Sequence, residues 1–270
     1  MKRIASRDNA HYKGLLKLSQ SSRERRKSGR VLLDGMHLIE AYEASCGVPE
    51  EIVVSDSGAG RPENARYLDR RPAGSSISYV ADALFKELAL VDTPSGIMAV
   101  VARPQPAGGG DHAADTVLLD GVQDPGNLGS ILRSAAAAGF HQILLSADCA
   151  QAWSPKTLRA AMGAHFQLAI HEDRDLSAFL VAYRGQSVAT LPAASSSLYS
   201  TTLGRPLAWV FGSEGLGVRP LVAAQTSRQL RIPMAAASES LNVAAVAAVC
   251  LFETLRQRQV AEPSLGSGPG

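Results

Sequence analysis

The chain has 270 residues, of which 46% are hydrophobic and 19% charged, with 24 Gly and 14 Pro. That balance excludes a disordered or collagen-like polymer and leaves room for two domains. No apolar run approaches the ~18 residues of a membrane span, and no charged start runs into an apolar stretch of the signal-peptide kind. Cys46, Cys149 and Cys250 are far apart and form no CxxC pair, so no disulfide framework and no zinc or other metal site is expected. Reduced core thiols in a cytoplasmic protein are the expectation.

The formal charge of +2 conceals an asymmetry. Residues 1–30 hold ten Lys or Arg (Lys2, Arg3, Arg7, Lys13, Lys17, Arg23, Arg25, Arg26, Lys27 and Arg30) against Asp8 and Glu24, a net +8, so the other 240 residues carry −6. A basic arm on a mildly acidic body points to a polyanion such as nucleic acid, with a merely solubilising helix as the alternative. Within it, Leu15, Leu16 and Leu18 have helical spacing ahead of a charged run at 21–27.

From Val31 the pattern becomes compact. Helices are expected at 36–46 and 81–90, and strands at 51–56, 76–80 and 96–102. This small α/β unit ends at a Pro- and Gly-rich stretch, 104–110, of linker composition. A second alternation follows. Its strands are expected at 116–120, 142–146, 166–171, 187–191, 207–212 and 229–232, and its helices at 127–138, 155–163, 175–183, 219–225 and 241–258. Such alternation predicts a mostly parallel sheet covered on both faces. Residues 262–270 have the composition of a disordered tail.

Ligands of open α/β sheets collect at the carboxyl ends of the strands, and three strand-to-loop junctions stand out there. The first runs from Leu118 through Asp120, Asp124-Pro125-Gly126-Asn127 and Gly129 to Arg133. Asn127 is a candidate N-cap, Gly129 permits close backbone approach, and Arg133 lies under two helical turns beyond Asn127. The flanking Ser134-Ala135-Ala136-Ala137-Ala138 offers Arg133 little to pair with. The second is Gly212-Ser213-Glu214-Gly215-Leu216-Gly217. Its glycine order reverses the dinucleotide fingerprint, and it lacks the Lys-Ser/Thr of a P-loop. Glu214 would repel a phosphate, so a neutral or cationic ligand fits better. The third is Ile232-Pro233-Met234 followed by Ser240-Leu241-Asn242-Val243, a small-residue loop opening an Ala-rich helix, with Ser240 as a candidate cap. Each junction taken alone is also explained by capping and turn formation.

Together the three resemble the SpoU/TrmH-like branch of the SPOUT superfamily, the knotted RNA 2′-O-ribose methyltransferases. DPxNxGxxxR, the hydrophobic-GxEGxG turn and IPM…SLNV occur here in that branch's order and spacing, over residues 116–258. Residues 31–104, with Leu33-Asp34-Gly35-Met36-His37 and Thr93-Pro94-Ser95-Gly96, resemble the ribosomal-protein-like RNA-binding domain that many members carry. Ser6-Arg7-Asp8-Asn9 with Lys13 resembles, more loosely, members that modify ribosomal RNA. Four positions depart from the pattern: Gly126 where His is usual, Ala136 where an acid is usual, Ala236 for Gly and Ala244 for Ser.

Charge and composition give a basic arm (1–30), a linker (105–115) and a tail (261–270), and the resemblance implies a small α/β RNA-binding domain (31–104) and a trefoil-knotted SPOUT methyltransferase domain with a parallel sheet (116–260). It implies S-adenosyl-L-methionine as cofactor and a homodimer whose site draws on both subunits. By the family pattern Gly212, Ile232 and Leu241, with Leu191 added, bind the cofactor, and Gly212 would let it approach the backbone. Arg133 is the family's activator of the ribose hydroxyl. Because a guanidinium stays protonated, its expected role is to clamp a phosphate and stabilise alkoxide charge. Asn127 would orient Arg133 or the nucleotide, Glu214 would pair with Arg133 or hold the loop, and Ser240 and Asn242 would support the pocket. Ribosomal RNA is the expected substrate. A tRNA methyltransferase, a non-catalytic ribosome assembly factor and a nucleotide-dependent oxidoreductase are the alternatives, the last disfavoured by the glycine order.

Overall fold

The structure, a computed structural model, describes residues 2–89, 91, 93–235 and 240–261. Two compact units emerge, Met1–Pro104 with Trp153–Phe166, and Gln105–Ala152 with Gln167–Gly270. The expected tail 262–270 and the departure at Ala236 lie outside the described residues.

The first unit is built on a five-stranded sheet of β1 (Lys2–Ile4), β2 (Arg30–Asp34), β3 (Glu51–Ser55), β4 (Ile77–Val80) and β5 (Ile97–Ala102), in the order β1-β4-β3-β5-β2. The first three in that order are parallel, while β5 runs antiparallel to both β3 and β2. The helices are α1 (Ala10–Gln20), α2 (Ser22–Ser28), α3 (Met36–Cys46), α4 (Pro62–Asp69) and α5 (Asp82–Ala89).

Residues 1–30 are therefore not an arm apart from the domain. β1 pairs with β4, and Tyr12, Leu15 and Leu18 of α1 enter one core with Leu84, Phe85 and Leu88 of α5. The leucine spacing supplies an apolar stripe, and burying it outweighs the charge of the opposite face. Part of the basic surplus is internally matched: Arg3 pairs with Asp56, Arg7 with Glu87 and Arg30 with Glu50. Arg25 is buried and donates to the carbonyls of Leu18 and Ser19 at 2.8 and 3.1 Å. Lys17, Arg23 and Lys27 remain exposed on α1 and α2.

Helix α7 (Pro155–Ala161) and the turn after it belong to this first unit although their sequence lies far beyond it. Phe166 meets Tyr42 edge-on with ring centroids 5.3 Å apart, Trp153 packs on the buried His165, and the His37 ring bonds the Met162 carbonyl at 3.2 Å. The expected contiguous stretch 116–260 is thus interrupted at 153–166. Residues 164–167 form a turn of 3-10 helix, so the strand expected from 166 begins later.

The second unit is a seven-stranded, wholly parallel sheet. Its strands are β6 (Thr116–Asp120), β7 (Gln142–Leu145), β8 (Ala169–His171), β9 (Gln186–Thr190), β10 (Ser196–Ser197), β11 (Leu207–Gly212) and β12 (Arg228–Arg231), in the order β10-β12-β9-β11-β6-β7-β8. The helices are α6 (Pro125–Ala137), α8 (Leu176–Ala182), α9 (Pro220–Ala223) and α10 (Val243–Ala261). Central β6, β7 and β11 are buried along their whole length, as strands covered on both faces must be. Leu118 and Val210 pack with Leu176, Phe179 and Val222 of α8 and α9. The alternate residue Trp209 faces α10 and donates its indole N–H to Thr254 at 3.0 Å. The expected linker is docked on this unit: Gln142 exchanges hydrogen bonds with the Asp111 backbone at 2.7 and 2.9 Å, and His112 stacks on Phe179.

Chain order reverses in this sheet. The strands step outward from β6 to β8, and the chain then returns to β9 and β11 on the other side of β6. Gly212 pairs with Asp120 and Leu230 with Thr190, so the loops after β6 and β11, and those after β9 and β12, leave the sheet as neighbours. That is the switch point at which open α/β sheets bind ligands.

Candidate active site at the carboxyl ends of the parallel strands

The loop after β6 enters α6 two residues earlier than the sequence suggests. Asp124, not Asn127, is the N-cap, accepting the Asn127 N–H at 2.8 Å, and Pro125 occupies the first helical position. Proline presets φ there and has no N–H to leave unpaired, which fixes the start. Asn127 is moved into the first turn and its side-chain amide is released from capping.

That amide meets the glycine turn. Ser213 and Gly217 exchange N–H···O bonds of 3.0 Å, and the Leu216 N–H donates to the Ser213 hydroxyl at 3.1 Å. Gly212 is dictated by this fold-back: a Cβ there would stand 1.9 Å from the Gly217 carbonyl carbon. The fold-back of the turn is by itself sufficient to require glycine at 212. At the turn's tip Glu214 accepts from Asn127 Nδ2 at 2.9 Å and from the N–H groups of Gln123 and Asp124 at 3.3 Å. Partial burial pushes the Glu214 carboxyl up, but these donors, Asn127 foremost, outweigh it and hold the group below its ordinary range.

Asn127 Oδ1 in turn accepts from Asn242 Nδ2 at 2.9 Å. Asn242 Oδ1 accepts from the N–H groups of Ala244 and Ala245 at 2.9 and 3.3 Å, so Asn242, not Ser240, caps α10. The three motif loops are therefore joined through their side chains as Glu214–Asn127–Asn242. Arg133 stands apart, exposed on α6 without an ion pair or hydrogen bond among the described residues. Six residues turn a helix through one and two-thirds revolutions, so Arg133 and Asn127 point about 120° apart. Glu214 holds the loop and does not pair with Arg133.

Beside this network is a cavity of about 100 Å³ lined by Thr190, Leu191, Pro192, Leu230, Arg231, Ile232, Met234, Ser240, Leu241 and Val246. It gathers the expected Leu191, Ile232, Leu241 and Ser240. Gly212 is not among its lining residues. Thr190, Pro192, Leu230, Arg231 and Val246 stand outside the motifs, Thr190 and Leu230 being brought together by the pairing of β9 with β12, while Met234 belongs to the third motif, which assigns it no role. Leu241 and Met234 leave 42% and 37% of their surface to solvent, apolar area that a bound ligand would cover. An apolar slot rimmed by two hydroxyls and by backbone suits the flat base of a nucleoside. The segment 240–242 links the features: its first two residues line the slot and its third holds Asn127.

The SpoU rRNA Methylase family matches residues 115–252, and the MRM3-like substrate binding domain matches residues 9–99. The 23S rRNA guanosine 2′-O-methyltransferase RlmP of Bacillus subtilis is 32% identical over 93% of this chain and 98% of its own. The chain belongs to the SpoU rRNA methylase family. A solved RNA 2′-O ribose methyltransferase superposes on this SpoU chain with a TM-score of 0.79 at 30% identity, covering 95% of this chain and 99% of its own. An rRNA methyltransferase of Sinorhizobium meliloti, solved with S-adenosylmethionine bound, superposes with a TM-score of 0.78 at 26% identity, covering 94% of this chain and 97% of its own. The SpoU unit with its parallel sheet is thus a SPOUT-type methyltransferase fold preceded by a substrate-binding domain. Among the described residues no three His, Cys, Asp or Glu converge as metal ligands, and no helix is long and apolar enough to cross a membrane.

Proposed function

We propose that this SpoU-family chain is an S-adenosylmethionine-dependent methyltransferase acting on a ribose 2′-hydroxyl of ribosomal RNA. The observation that carries the reading is the segment 240–242, which joins an apolar nucleoside slot to the Glu214–Asn127–Asn242 chain. The names of relatives that methylate 23S rRNA support the substrate class.

Leu191, Ile232, Leu241 and the backbone around them would hold the adenosine. Bound S-adenosylmethionine supplies an electrophilic methyl group, so the reaction needs placement and a stabilised oxyanion and needs no Lewis acid. Arg133, whose guanidinium remains cationic, clamps a phosphate of the RNA and stabilises charge developing on the 2′-oxygen. Asn127, Glu214 and Asn242 fix the start of α6 relative to the slot, and so set where that helix presents its side chains. Ser240 borders the slot.

A homodimer is part of the proposal. In it the exposed Arg133 is open to a partner subunit or to RNA. The trefoil knot and a reducing, cytoplasmic setting for the three free thiols belong to the same reading. Exposed Lys17, Arg23 and Lys27 on the first unit suit an RNA backbone.

The test is incubation with radiolabelled S-adenosylmethionine and total RNA from a strain lacking the protein, followed by mapping of ribose methylation. Label at one 2′-hydroxyl of ribosomal RNA supports the reading. Label in transfer RNA alone would replace the substrate. RNA binding with neither cofactor binding nor transfer would make the chain an assembly factor.

A further inference from the structure

A buried carboxylate lies beneath the site, outside the motif residues. Asp120 ends β6 with its side chain wholly buried, and an ionised group there must be met by charge and directional donors. Its partner is 99 residues away. The Arg219 N–H donates to Asp120 Oδ2 at 2.8 Å, its Nε donates to Oδ1 at 2.7 Å, and its Nη2 reaches Oδ1 at 2.6 Å. The remaining arm of the guanidinium, Nη1, approaches Asp148 of the loop after β7 at 3.5 Å. Arg219, itself on the segment after β11, thus reaches the end of β6 and the loop after β7, and its backbone leads directly out of the glycine turn through the buried Val218.

Position gives the contact its meaning. The glycine turn is held at its tip by Glu214 on the loop after β6. At its base it is held by Arg219 on the residue that begins that same loop. Two points of attachment fix the orientation of a rigid turn, whereas one leaves it free to pivot. The exposed Leu216 and Gly215 between them have no packing of their own to restrain the turn.

We infer that Arg219 is a positioning residue for methyl transfer: clamped on Asp120, it sets the glycine turn so that Glu214 meets Asn127 and α6 is presented in its productive orientation. The guanidinium fork matters here as well as the charge, because a lysine at 219 offers one point of attachment where arginine offers several. Arg219 does not line the slot and acts through Glu214. The inference rests on the methyltransferase reading for its kinetic part only.

The test uses the full chain with Arg219→Lys, which keeps a cation opposite Asp120, and the paired change Asp120→Asn with Arg219→Gln, which leaves no unmatched charge if the lysine variant fails to fold. Amide hydrogen exchange of the Ser213 and Gly217 N–H groups should speed up by about tenfold in either variant, without RNA or cofactor present. Single-turnover transfer should fall by about tenfold while the Kd for S-adenosylmethionine stays within about twofold. Combined with Glu214→Gln, the Arg219→Lys loss should largely disappear, because both changes release the same turn. Unchanged exchange at 213 and 217 overturns the inference, as do losses that multiply in the double variant. A wild-type chain that transfers no methyl group would refute the methyltransferase reading instead, and the exchange result would still decide the clamp.

Discussion

Asn127 is the central link of the site, and its replacement has a calculable effect. Asn127→Ala removes one hydrogen bond to the charged Glu214 and one from the neutral Asn242, both 2.9 Å long. Bonds to charged groups contribute about 1.5–3 kcal/mol and neutral ones about 0.5–1.5. The low end of each range applies because Glu214 is exposed, giving about 2 kcal/mol in all, or roughly 30-fold in an equilibrium constant. Glu214 would keep backbone donors alone, those of Gln123 and Asp124 at a long 3.3 Å, and α10 would keep its cap, because capping uses the other atom of Asn242. Single-turnover methyl transfer should therefore fall by about 30-fold, with the Kd for S-adenosylmethionine from calorimetry changing less than about threefold. Asn127→Asp is the sharper variant. It keeps an acceptor for Asn242 but sets a carboxylate against Glu214, so it should lose more activity than Asn127→Ala at neutral pH. If the Asn127→Asp enzyme were as active as wild type, the bridge would be refuted.

Arg133→Ala should reduce transfer by about 10²- to 10³-fold with cofactor affinity unchanged, and loss of cofactor binding in calorimetry would show that Arg133 belongs to the slot. Leu241→Ala should weaken S-adenosylmethionine by about tenfold through lost apolar contact, measured as Kd, and leave RNA affinity unchanged. Replacing Lys17, Arg23 and Lys27 by Ala should lower the slope of log K against log salt for RNA by about 2 to 3, and an unchanged slope would make them solubility features. Glu214, held below its ordinary carboxylate range, stabilises the turn in its ionised form. That contribution is fully present above the ordinary value and is lost as pH falls through the lowered one. The exchange protection of Gly217 should therefore drop on that acid limb in the wild type and show no such step in Glu214→Gln.

What the sequence shows of this site is what lies within a few residues of a turn. The three loops are legible because glycine, proline and a short polar side chain each have a local backbone reason to stand where they do. Local rules also mislead at those places. Asn127 and Ser240 have capping chemistry, yet Asp124 before Pro125, and Asn242 before Val243, take the caps. Thr190 and Leu230 line the slot only because β9 and β12 pair, a register no motif encodes. Arg219 reads as the start of a short helix, and nothing near it in sequence points to Asp120. The basic segment misleads for a different reason: its charge density masks a leucine stripe sufficient to dock it.

Residues 153–166 have a consequence for any attempt to take the protein apart. The chain passes from one unit to the other after Pro104, again after Ala152 and again after Phe166. A fragment beginning at Gln105 would carry Trp153, His165 and Phe166 without Tyr42, His37 and the rest of the surface that covers them. A fragment ending at Pro104 would leave that surface bare. Cutting between the units is thus not a matter of choosing one junction, and a minimal catalytic fragment has to join Ala152 to Gln167 through a plain polar loop.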